Sequence, residues 1–110
     1  MAAKELVLTV ELPDDPSVSS GSPLVVEVRD TSLADAPAVT LERRRTAAPA
    51  RARSVTVTFS METIPDGTTA WAHLDADRDG RVSPGDYITV QSYPVLGSAR
   101  QALTLRLKKV

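Results

Sequence analysis

The chain has 110 residues, 42% of them apolar and 25% charged, with a net charge of −1 and no cysteine. That length fits a single domain spanning residues 1–110, able to bury roughly 65% of its unfolded surface without staples. The missing cysteines exclude a disulfide framework, and the near-neutral charge argues against a generic nucleic-acid binder.

The first residues, Met1 to Leu6, have no long apolar core and no cleavage signature, and no segment approaches the ~20 apolar residues that cross a bilayer. A chain without a membrane span is expected, cytoplasmic by default. Removal of an export signal would leave the same sequence and a cell-envelope or periplasmic location.

Leu6, Leu8, Val10 and Leu12 alternate with Glu5, Thr9 and Glu11, the period-two pattern of a half-buried strand, which stops at Pro13-Asp14-Asp15-Pro16. A Ser/Gly loop through Gly21 leads to a second strand, with Leu24, Val26 and Val28 against Glu27 and Arg29. The pattern recurs at Val39 and Leu41, and again at Val55, Val57 and Phe59. Further strands are predicted over Thr68 to Leu74, over Tyr87 to Val90 and around Leu103, Leu105 and Leu107. About seven strands and no helix predict an all-β fold, an antiparallel β-sandwich of immunoglobulin-like or prealbumin-like type. Arg43 to Arg53, rich in Ala, Arg and Pro, reads as one loop between two strands.

Residues 75 to 86 carry the one motif that specifies a chemistry. They have the spacing of an EF-hand-type calcium loop: Asp75, Asp77, Asp79, Arg81, Ser83 and Asp86 at ligand positions 1, 3, 5, 7, 9 and 12, with Gly80 at the sharp turn. The first three carboxylates supply hard oxygens, Arg81 its backbone carbonyl, and Ser83 a hydroxyl or a bound water. Asp86 is one methylene shorter than the usual closing Glu, which predicts a weaker or less rigid site. Val82 is expected to pin the loop to the core. Neither flank has a helical pattern, so the loop is predicted to join two strands and clamp a hairpin rather than open a helix pair. Magnesium and zinc suit this ligand set less well than Ca2+. The competing account is a polar turn whose Asp and Gly residues serve turn geometry alone.

Other candidates are weaker. Five arginines at 43, 44, 45, 51 and 53 could meet an acidic partner, or simply form a solvated loop with no aromatic to stack on bases. Trp71 and His73 share one strand face, and a lone Trp in a sandwich is expected in the core. His73 is expected as a neighbour of the acid loop. No nucleophile elbow, phosphate loop or Cys nucleophile is present, so no enzyme is expected.

The phrase Val-Arg-Asp-Thr-Ser-Leu-Ala-Asp-Ala-Pro-Ala-Val, Val28 to Val39, resembles the signature of a bacterial family of small β-sandwich lipoproteins. That family includes the type III secretion pilotins, lipoprotein chaperones of the secretin. The similarity continues through Pro84 to Leu96. It implies a β-sandwich, an envelope location and protein interaction as the activity, whereas this chain has no export signal with a lipidated Cys and carries a fuller calcium motif. In physical terms, Asp30 or Asp35 can bond backbone amides and Pro37 starts the next strand. Two functions follow: a calcium-binding structural or binding module, or a metal-independent interaction domain of the pilotin kind that captures a peptide at a sheet edge or through the Arg43 to Arg53 loop.

Overall fold

Alternation along the strands dictates the architecture. The structure, a computed structural model, describes residues 3–14, 21–32, 37–49, 52–97 and 99–110. Eight strands run through them: β1 (Lys4–Glu11), β2 (Pro23–Asp30), β3 (Val39–Ala47), β4 (Ser54–Met61), β5 (Thr68–Leu74), β6 (Tyr87–Ile88), β7 (Arg100–Arg106) and β8 (Lys108–Lys109). They form a three-stranded sheet, β4-β1-β7, and a five-stranded sheet, β3-β2-β5-β6-β8. One face of each long strand enters a shared core: Leu6, Leu8 and Val10 of β1, Leu24, Val26 and Val28 of β2, Val57 and Phe59 of β4, Ala70, Ala72 and Leu74 of β5, and Leu105 of β7. This is an all-β sandwich.

Several expectations need correction. The pairing is antiparallel except for β1 and β7, which run parallel with Leu8 opposite Leu103. The stretch from Arg43 to Arg53 is not one loop, because β3 continues to Ala47 and places Arg43, Arg44 and Arg45 on an edge strand. Arginine and threonine fit an edge exposed on both faces, and only the Ala/Pro segment after it breaks the chain. Arg51 and Asp35 lie outside the described residues. Of the run expected to continue to Val90, only Tyr87 and Ile88 are regular strand. The chain then follows β5 irregularly, through bonds from Thr89 N to Ala72 O and from Ala70 N to Tyr93 O, and a single bridge between Thr69 and Pro94. Proline has no amide to continue a ladder.

Trp71 is on the outer face rather than in the core, because the small residues Ala70 and Ala72 face inward, where the two sheets approach. The register sets Glu27 of β2 between Arg43 of β3 and Trp71 of β5. Glu27 is only 4% exposed, and it accepts from Arg29 Nε at 2.7 Å, Arg43 Nε at 2.9 Å and Thr40 Oγ1 at 3.1 Å. The Arg29 guanidinium lies 3.8 Å from the centre of the Trp71 ring, a cation–π contact that continues the network across the sheet.

Burial alone would push the Glu27 carboxyl up, but the bonds and charges of Arg29 and Arg43, with the Thr40 hydroxyl, hold it below the ordinary glutamate value. A folded value below the unfolded one means that the unfolded chain binds more protons in the acid range. The network's contribution is therefore complete above the unfolded glutamate value of about 4.3 and is lost as pH falls through the lower folded value. Urea melts across the acid range are expected to show this loss in the parent, and Glu27→Gln should lack that part of the slope.

Candidate functional site

The acid loop closes the hairpin between β5 and β6, whose ends pair through Leu74 with Tyr87 and His73 with Ile88. Asp75 starts it at the end of a buried strand, its amide donating to Pro23 O at 2.8 Å. The loop then turns on left-handed backbone at Arg78 (φ 59°) and Gly80 (φ 77°). A Cβ at position 80 would meet no atom within 4 Å, so glycine is required there by backbone conformation and not by space. The aspartates fold the loop by accepting amides. Asp75 Oδ2 accepts from Gly80 N at 2.8 Å, and Asp79 Oδ1 accepts from Arg81 N at 2.9 Å.

Asp86 is the post on which the loop closes. It is fully buried, and its Oδ1 accepts from Ala76 N at 2.9 Å. Its Oδ2 takes His73 Nε2 at 2.8 Å, Ser83 N at 3.2 Å and Ser83 Oγ at 3.4 Å. A carboxylate only accepts, so the imidazole is the donor. The one Ser83 hydroxyl hydrogen is shared with Asp77 Oδ2, the nearer acceptor at 2.8 Å, and so ties an outer aspartate to the buried one.

Of the residues expected from the spacing, Asp75, Asp77, Asp79 and Asp86 are brought together: each offers an oxygen, and these oxygens lie within 4.8 Å of one another. Asp75 and Asp86 are buried, whereas Asp77 and Asp79 face solvent. Ser83 is in place between two of them, and Arg81 contributes its amide to the fold of the loop with its side chain exposed. Val82 is 47% exposed and does not pin the loop, because the buried Asp86 and His73 already anchor it. His73 is more than a neighbour. It stands with Asp75 and Asp86 in a second, fully buried group of candidate ligands, and its ring centre is 5.8 Å from that of Trp71. The clue in sequence was a histidine two residues before the loop, on the face opposite Ala72 and Leu74.

Burial is the main cause that pushes the Asp75 carboxyl above its ordinary value. The neighbouring Asp77 and Asp86 carboxylates add to this, against the Gly80 amide and His73. Asp77 goes the other way, held low chiefly by the Ser83 hydroxyl. Toward the start of β5, an open cavity of about 290 Å3 is bordered by Arg29, Thr31, Thr69, Trp71, Thr89 and Val90.

The fold defines a pilotin-like β-sandwich. No protein-family model matches the chain, and no curated protein sequence matches it. Among solved structures, an alternative pilotin from the type II secretion system of Vibrio cholerae shares the fold at a TM-score of 0.72, with 98% of this chain and 97% of that chain covered. At 18% sequence identity the likeness is one of fold.

Removing the Asp86 carboxylate leaves a buried imidazole and two loop amides without their acceptor. Asp86→Ala is expected to cost about 3 kcal/mol in urea unfolding, with faster hydrogen exchange at the Ala76 and Ser83 amides.

Proposed function

We propose that this chain is a non-enzymatic protein-binding module that takes an extended, acidic segment of its partner along the free edge of β3. One likeness supports protein binding as the activity: the fold neighbour is a secretion-system pilotin. The observation that carries the reading is β3 itself, nine residues long, at the edge of the five-stranded sheet and exposed on both faces except at Leu41.

The direction of its backbone follows from alternation. Pro23 O is used by Asp75 N on the β5 side, while Ser22 O is used by Ala48 N on the β3 side. The even residues of β2 therefore bond toward β3, where Leu24, Val26 and Val28 face Thr46, Arg44 and Glu42. Arg43, Arg45 and Ala47 consequently turn their amides and carbonyls outward. Among the described residues, none bonds to them there.

Charge selects the occupant. Arg43 is held by Glu27, and Arg44 donates to Thr58 O at 3.2 Å with its guanidinium 5.5 Å from the Phe59 ring centre. Arg45 makes no ion pair among the described residues. Three successive arginines repel a second copy of the same strand and attract a strand bearing carboxylates opposite them. Addition of such a strand gives affinity through main-chain bonds and specificity through alternate side chains.

The test is a fluorescently labelled, alternating Glu/Val/Thr peptide titrated into the full chain. Amide shifts should map to residues 41–47. Arg45→Glu should weaken binding roughly fivefold, the effect of about 1 kcal/mol across strands. Arg45→Pro removes only an outward-facing amide and should also weaken binding without lowering the melting temperature much. Shifts centred on the Trp71 cavity, or equal binding by both variants, would refute this assignment.

A further inference from the structure

We propose that the loop from Asp75 to Asp86 is a calcium site in which Asp75, Asp77 and Asp79 supply the charged oxygens and Asp86, held by His73, closes the shell through Oδ1 alone.

Four clustered carboxylates make only an acidic patch, and many such patches bind nothing. The independent observation is at Asp75. This residue is 4% exposed, and its Oδ1 is buried with no hydrogen-bond partner, while Oδ2 holds the Gly80 amide. A buried acceptor left unmet is costly, and a carboxylate can be met only by a donor or a cation. The side chains nearest to it include the carboxylates of Asp77 and Asp86, which have the wrong sign. A cation among these oxygens satisfies Asp75 and neutralises its neighbours together.

The donor set selects the ion. The oxygens come from alternate positions of a loop turned at Gly80, with the Arg81 carbonyl and the Ser83 hydroxyl at the remaining positions, which is a hard, all-oxygen set of the number that calcium takes. Magnesium demands a tighter octahedron and keeps its waters. A zinc ion would want His73, whose Nε2 is 2.8 Å from Asp86 Oδ2 in a buried pair that would first have to break. Asp86 Oδ2 already takes the His73 ring and the Ser83 amide, so Oδ1, which holds only the Ala76 amide, is the atom left to the ion.

This inference is independent of the β3 reading, and each can fail alone. It also predicts a reversal of sign. Without metal the unmet, charged Oδ1 of Asp75 disfavours the folded loop, while the bond from the Gly80 amide can be kept by an asparagine oxygen, so Asp75→Asn should melt higher than the parent in chelator yet gain nothing from calcium.

The experiment is calorimetric titration of the full chain with calcium chloride, paired with thermal melts in chelator and in calcium. The parent should give saturable heat and a melting temperature several degrees higher in calcium, and equimolar magnesium should reproduce neither. Asp77→Ala and Asp79→Ala, both at exposed positions, remove a ligand oxygen that asparagine would still supply, and should stay folded in chelator and lose the heat, whereas the exposed control Asp66→Ala should keep it. Any one of four results would overturn the proposal: no heat at millimolar calcium; heat unchanged in Asp79→Ala; Asp75→Asn melting below the parent in chelator; or tighter zinc binding that disappears in His73→Gln.

Discussion

Burial of the Asp86 carboxylate is the constraint around which the acid-loop end of this sandwich is arranged. Its side chain gathers the amides of Ala76 and Ser83 and the ring of His73, and its main-chain carbonyl accepts from Val110 N at 2.8 Å. One residue thus joins the start of the acid loop, its end, strand β5 and the C-terminus. A charge taken out of water is tolerated only where its lone pairs are filled, and here they are filled from elements far apart in sequence. The short β6 and β8, two residues each, adjoin this junction through Asp86 and Val110.

From His73 the arrangement continues across the outer face of the larger sheet. His73 neighbours Trp71, Trp71 carries the Arg29 guanidinium, and Glu27 binds both Arg29 and Arg43. The acid loop and the basic edge strand therefore sit at two ends of one polar layer on the side of the sheet away from the core. Such a layer resists sliding of β2 against its neighbours, because a register shift of one residue would turn Glu27 and Arg29 toward the apolar core and Val26 and Val28 out of it.

The other contacts serve closure. Gly67 accepts Thr31 N and Thr31 Oγ1 at its carbonyl, and a Cβ there would fall 2.7 Å from Ser32 Cβ, so the approach of the β2 end to the β4–β5 turn requires glycine. Asp30 Oδ1 accepts Ser32 N at 2.9 Å, the backbone role its place in a polar loop suggested. Tyr93 accepts Arg106 N at 2.9 Å and so links the irregular segment after β6 to β7 in the opposite sheet. These are polar bonds at the rim of an apolar core, where water would otherwise enter.

Local pattern alone carried the all-β class, the positions of β1, β2, β4 and β5, the faces of β1 and β2 that enter the core, and the clustering of Asp75, Asp77, Asp79 and Asp86 in one inter-strand loop. Period-two alternation and a turn glycine are properties of neighbouring residues and need no knowledge of the rest of the chain. Tertiary structure decided the remainder. Whether Trp71 or Ala72 faces inward depends on the space between two sheets, and the parallel pairing of β1 with β7 joins segments about ninety residues apart. The continuation of β3 through three arginines depends on its being an edge, where charge is favourable and not forbidden. The pairing of His73 with Asp86 arises only when the hairpin folds back upon itself, and so does the unmet oxygen of Asp75, because burial and partner count are set by which strands converge and not by the spacing of residues along one of them.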